Sequence, residues 1–229
     1  VAKDSQFEIL LQILRRFNEA GVLQNFMLIG SWCLYFYRFH FDQPERLPAF
    51  RTLDVDFLIP NVKAVKKALD VPELLKQEGF VPSFNRASGV VKYNHPELQV
   101  EFLVPEFGKG RAEPVRIESL RVSAQALRYL SLLMDYPKMI AHEGFSIRVP
   151  DPAAFAIHKL IISDRRENKE KQKADLETSV GLLEFLFSRP DEVQRIKSIF
   201  GTIPRNWKKT ILLLSEKHFP PLYQAAEAF

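Results

Sequence analysis

The chain has 229 residues, 46% of them hydrophobic, with a formal charge of +4, a pI near 9.1 and one cysteine. That length and apolar content allow one large or two small domains with a real core and exclude a disordered chain. The lone Cys33 excludes a disulfide framework within one chain and fits a reducing compartment.

From the N-terminus, residues 5–21 carry apolar side chains at helical intervals, with Ser5 and Glu8 spaced as a capping box and Gly21 as a stop. "NFMLIG" (25–30) reads as a short strand ending at a glycine, and 31–41 as a buried helix that includes Cys33 as an inert thiol. Two prolines make 42–50 a loop. "LDVDFLIP" (53–60) alternates like a strand. Residues 62–79 read as helical with a break at Pro72, and "FVPSF" and "GVVKY" as a pair of short strands. "LQVEFLVP" (98–105) repeats the pattern of the earlier strand, an acid between apolar residues and then a proline, so the two are expected to be neighbours. Residues 106–120 read as a connector. An apolar run and a hairpin ending at Pro150 follow. Asp151 and Pro152 begin a helix over 151–164, a charged turn follows, and further helices come from "TSVGLLEFLF", "PDEVQRIKSIF" and "RNWKKTILLLSEKHF". Mixed helix and sheet over 1–120, then a mostly helical part over 121–229, is the expected organisation.

Asp54 and Asp56, two apart in a strand, project from the same face, and like charges so placed raise each other's pKa. A divalent cation removes that cost, and Mg²⁺ takes hard carboxylate oxygens together with phosphates. Glu101 would add a third carboxylate from the neighbouring strand. The same pattern also suits an edge strand facing water, or carboxylates paired with Arg51 or Arg38. Gly30 and Ser31 lie between a strand and a helix, where free N–H groups bind anions, although Ser31 would serve equally as a plain helix cap. Neither a phosphate-binding G-x-x-x-x-G-K run nor a dinucleotide fingerprint is present. Lys159 interrupts the apolar helix "AFAIHKLII", where it either snorkels outward or meets a functional anion. The stretch 164–177 is nearly neutral and reads as a solvated face with i,i+4 pairs such as Glu167 with Lys171. His158 reads as a packing or hydrogen-bonded histidine on a different helical face from Lys159, and Trp32 and Tyr35 as core.

Taken together, "LIGSW", "LDVDFLI" and "VEFLV" resemble the motifs of the DNA polymerase beta-type nucleotidyltransferase superfamily. "R-T-x-D-x-D" at Arg51–Asp56 and "PAAFAIHKLIISDRRENKEKQKADL" extend the resemblance, over residues 25–185, to bacterial nucleotidyltransferase-fold proteins of unassigned substrate. The resemblance implies an α/β (α+β) fold: a mixed sheet flanked by helices as the catalytic core (1–120), then a helical domain with a small hairpin (121–229) closing a nucleotide cleft. It implies Mg²⁺ or Mn²⁺ on Asp54, Asp56 and Glu101, and an NTP substrate whose phosphates meet Gly30, Ser31, Arg51 and Lys159. Lys173 and Asp175 match the family's "K-x-D", whose Asp would orient Lys159 or the substrate's base. The acceptor, whether RNA, protein or small molecule, is left open, and a role in toxin–antitoxin systems is compatible. A non-catalytic nucleotide-binding or regulatory protein of the same fold is the alternative. No apolar run of about 18 residues would span a membrane, and the N-terminus lacks the layout of a secretory signal. The expected location is therefore the cytoplasm.

Overall fold

The computed structural model describes residues 5–50, 52–86, 89–106 and 113–227. Helix α1 (Ser5–Glu19) buries Leu10, Leu11, Ile13, Leu14 and Phe17 on one stripe. It stops at Gly21, whose φ of 69° suits a residue without Cβ. There the Val22 N–H donates to Phe17 O and the Gly21 N–H to Asn18 O, both at 2.9 Å, so the last carbonyls are satisfied.

A seven-stranded mixed sheet forms the centre. Strand β1 (Met27–Ile29) runs antiparallel to β2 (Asp54–Leu58), and β2 runs parallel to β5 (Gln99–Pro105). On its far edge β5 meets β4 (Val91–Asn94), the partner of β3 (Val81–Phe84). Further along the same edge it pairs with β7 (Val122–Leu127), which is joined by β6 (Val115–Ile117). The expected pairing of the two acid-bearing strands is thus present, in a register that sets Asp56 beside Glu101. The connector expected over 106–120 contains β6, and the sheet continues past residue 120 through β7.

The two faces of β2 and β5 differ in kind. Val55 and Phe57, with Val100, Phe102 and Val104, turn to a core that also holds Phe17 and Phe26, and all seven are buried. Asp54, Asp56 and Glu101 turn the other way. On that side lies helix α5 (Pro152–Ser163), apolar nearly all round and therefore buried. It packs against α4 (Leu130–Met134), α6 (Lys169–Phe187), α7 (Pro190–Thr202) and α8 (Arg205–His218). Asp151, 1% exposed, caps α5 through the Ala153 N–H at 2.9 Å and receives Arg195 Nε from α7 at 2.9 Å. The hairpin of β8 (Pro137–His142) and β9 (Phe145–Pro150) forms a separate two-stranded sheet.

Several element boundaries differ from the sequence reading, each for a local reason. The helix expected over 31–41 is α2 (Cys33–Tyr37) alone; beyond it the N–H groups of Phe39 and His40 bond three residues back, the tighter geometry of a 3₁₀ turn. Pro72 does not break a helix but sits in the first turn of α3 (Val71–Gln77), behind the Asp70 cap that accepts the Glu73 N–H at 3.0 Å. The charged turn is confined to 164–168. Asn168 caps α6 by accepting the Lys171 N–H at 2.9 Å, and the Lys, Glu and Gln residues that follow are good helix formers. Pro220 likewise opens the unanticipated α9 (Pro220–Glu227).

Candidate active site

Strand alternation and the β2–β5 register put Asp54, Asp56 and Glu101 on one face, bordering a cleft of about 430 Å³. Thr52 steadies the start of β2, its hydroxyl accepting the Asp54 N–H at 3.1 Å. Gly30, at the end of β1, lines the same cleft with φ 74°, and a Cβ placed there would collide with the Asp56 carboxylate. Glycine is therefore required twice over, for the backbone angle and for the space. Ser31 follows in the turn but is not among the residues lining the cleft, and α2 starts only at Cys33 behind Trp32.

The carboxylates crowd one another. Burial raises the Asp56 carboxyl to about 8, Glu101 and then Asp54 push it the same way, and Lys159 opposes them. An Asp so placed keeps its proton at neutral pH unless more positive charge arrives. Its neighbours have found cations instead: Lys171 Nζ of α6 lies 3.2 Å from Asp54 Oδ2, and Lys92 Nζ of β4 lies 3.3 Å from Glu101 Oε2 and 3.0 Å from Gln99 Oε1. Lys171 thus bonds Asp54 and not Glu167 as its spacing suggested, because Glu167 lies in the turn before α6, where helical i,i+4 spacing does not hold. Among the described residues no three His, Cys, Asp or Glu side chains are set as a ready metal cage. Three carboxylates nonetheless share one face of the sheet, and the middle one is short of positive charge.

Opposite the sheet, α5 presents Phe155, His158, Lys159 and Ile162 to the cleft, positions i, i+3, i+4 and i+7 of one helical stripe. Lys159 Nζ contacts Asp175 Oδ1 at 2.5 Å, and Arg166 Nε reaches Asp175 Oδ2 at 2.7 Å. Burial alone would raise the Asp175 carboxyl, but Lys159 and then Arg166 outweigh it and hold the group below its ordinary range. Asp175 therefore fixes Lys159. Lys173, two residues from both Lys171 and Asp175, lies on the opposite side of α6, pairs with Glu177 at 3.7 Å and is exposed. It is not among the residues that line the cleft. Arg51 lies outside the described residues.

His158 is buried, as a packing histidine would be, but among the described residues it makes no hydrogen bond, and it borders the cleft together with Lys159. It lines the cleft, 6% exposed, and neither ring nitrogen has a partner among the described residues. Burial first, then Lys159, pushes its imidazole down to about 3, so it is neutral. Lys92, Lys171, Arg165 and Tyr129 also border the cleft without having been singled out in the sequence. Cys33 and Trp32 are buried core, and burial raises the Cys33 thiol far above its ordinary range.

Gly30 and three carboxylates thus lie on one side of a cleft, with Lys159, anchored by Asp175, on the other. The family model described as Nucleotidyltransferase matches residues 8–194, and the chain belongs to that family, within the polymerase beta-like superfamily. Among solved structures, the chain is similar to an antigenic nucleotidyltransferase-like protein from Paracoccidioides brasiliensis, at 15% identity and a TM-score of 0.49, over 96% of this chain and 93% of that one. It is also similar to the antibiotic-resistance factor ANT(2'')-Ia, at 12% identity and a TM-score of 0.41, over 86% and 99%. A third likeness is to a tRNA nucleotidyltransferase crystallised with a primer tRNA and an ATP analog, at 17% identity and a TM-score of 0.26, over 90% and 60%. No curated protein matches. Among the described residues no helix is long and apolar enough to cross a membrane.

Proposed function

We propose that the chain transfers a nucleotidyl group from an NTP to an acceptor, with Mg²⁺ or Mn²⁺ held by Asp54, Asp56 and Glu101. The observation that carries this reading is the convergence of those carboxylates beside Gly30 and within electrostatic reach of Lys159, in one cleft. A bound divalent cation would offset the phosphate charge and lower the pKa of the acceptor hydroxyl. Residues 1–120 supply the carboxylates, and 121–229 close the cleft. Gly30 lets the β and γ phosphates approach the backbone, with Ser31 next to it in the turn. Lys159, kept in place by Asp175, balances their charge. Glu101 takes the acceptor's proton as its oxygen bonds the α-phosphorus and pyrophosphate departs. Lys171 and Lys92 leave Asp54 and Glu101 for phosphate oxygens when the cation binds.

The acceptor class is RNA, protein or a small molecule, and "R-T-x-D-x-D" with the later "H-K-L" and "K-x-D" supports a place beside bacterial members of the family. We place it in the cytoplasm, where NTPs and Mg²⁺ are available. A second reading, nucleotide binding without transfer, is favoured by one observation: Asp54 and Glu101 are already engaged by lysines. Incubating the chain with Mg²⁺ or Mn²⁺, each labelled NTP and candidate acceptors separates the two. Transfer predicts pyrophosphate release that Asp54→Asn and Asp56→Asn each abolish while circular dichroism is unchanged. Release unaffected by both substitutions contradicts the mechanism, and NTP binding without release supports the second reading.

A further inference from the structure

Two kinds of side chain line the cleft. Beside the carboxylates and lysines it has an apolar lining, Leu130 and Leu133 of α4 and Phe155 and Ile162 of α5, together with Tyr129 and His158. The two meet on α5, where Lys159 Nζ lies 5.6 Å from the Phe155 ring centroid. We infer that the apolar lining takes the nucleobase of the NTP, and that His158 reads the base edge by hydrogen bonding. The inference rests on the NTP reading above.

Two observations bear on it, and the first carries it. The first is His158 itself. A buried imidazole with both nitrogens unsatisfied is costly, and such a group is rare in a folded core. Here it faces a cleft, so a ligand can supply the missing partner. A neutral imidazole offers one donor and one acceptor, which suits the alternating donor and acceptor groups of a base edge and not the all-acceptor surface of a phosphate. The second is Tyr129. Its φ of 67° places a bulky aromatic in the left-handed region, a strained choice that persists only where surrounding structure enforces it. Its ring is held against Trp207 at 4.7 Å between centroids, with the Arg165 guanidinium 5.1 Å from it. The ring is therefore held in place beside the cleft, whose volume lies within the range of small-molecule sites.

The test compares Mg²⁺-dependent binding of ATP, GTP, CTP, UTP and inorganic tripolyphosphate to the wild-type chain, His158→Leu and His158→Gln. The wild type is expected to favour one base about tenfold or more, as one good hydrogen bond provides. His158→Leu should flatten that preference while leaving tripolyphosphate binding unchanged, and His158→Gln should restore part of it. Should the variants fail to fold, ring-labelled histidine in the native chain gives the same answer: the His158 imidazole signals should move with the preferred NTP and not with tripolyphosphate. Equal binding of the four NTPs, an unchanged ratio in His158→Leu, or imidazole signals indifferent to NTP overturns the base site while leaving NTP binding intact. Absence of binding by NTP and tripolyphosphate alike overturns both this inference and the reading it rests on.

Discussion

The two faces of β2 and β5 come from the same few residues and do opposite work. On one face Phe57 and Phe102 stack at 6.0 Å between centroids, Phe26 lies 5.6 Å from Phe102, and Tyr93 closes the group at 5.9 Å. One residue further along each strand, the other face carries Asp54, Asp56 and Glu101, which repel one another and need positive charge from elsewhere. The first face is a source of stability and the second a cost to it. Strand alternation lets the first hold the second in place, so stability and chemistry should respond to different substitutions.

Phe102→Ala should show the largest effect on stability, about 3–5 kcal/mol, read by denaturant unfolding, because a fully buried ring leaves a cavity. An equal loss from Asp54→Asn would break the comparison. Asp175→Asn should come next, at about 3 kcal/mol, since it strands the buried Lys159, and it should weaken NTP binding as well. A pH scan sharpens the assignment. The Asp175 carboxyl is held below its ordinary range, so its contribution is present above pH 4 and is lost as the pH falls through its depressed pKa, a loss the Asn variant should not show.

Gly30→Ala should cost about 1–2 kcal/mol for the left-handed backbone, plus the displacement of Asp56, and a loss of turnover larger than that stability loss implies. The smallest effect tests the charged face alone. In chelator, Asp56 has a folded pKa raised from 3.8 to about 8, so its favourable, protonated state is complete below the lower value and is lost as pH rises through the upper one. Metal-free Asp56→Asn should therefore melt several degrees higher than the wild type at pH 9 and close to it at pH 5. A gain independent of pH would point to packing instead of charge.

Much of this was legible in the chain because it follows short periods. Alternation revealed the acid-bearing strands, and the repeat of an acid and then a proline suggested their pairing. Lys159 stood out as a charge in an apolar helix. What stayed hidden depends on partners far away in sequence. Lys171 meets Asp54 across 117 residues, and nothing in the near-neutral stretch around it distinguishes it from its neighbours. Its signal was available only as a shared face with Asp175 at i,i+4, the same spacing that excludes Lys173. His158 was misplaced because adjacent helical residues are 100° apart, close enough for both it and Lys159 to border one wide cleft. Pro72 reads as a breaker from sequence but acts as a first-turn residue.

The central claim is that the charged face is a divalent-cation site serving a triphosphate. A crystal of the chain grown with Mn²⁺ and a non-hydrolysable NTP, measured at the manganese edge, tests it most directly. Anomalous density among Asp54, Asp56 and Glu101, with the triphosphate between it and Lys159, is the predicted result. Triphosphate bound with Lys171 and Lys92 still on their carboxylates, and no manganese between them at saturating concentration, would contradict it.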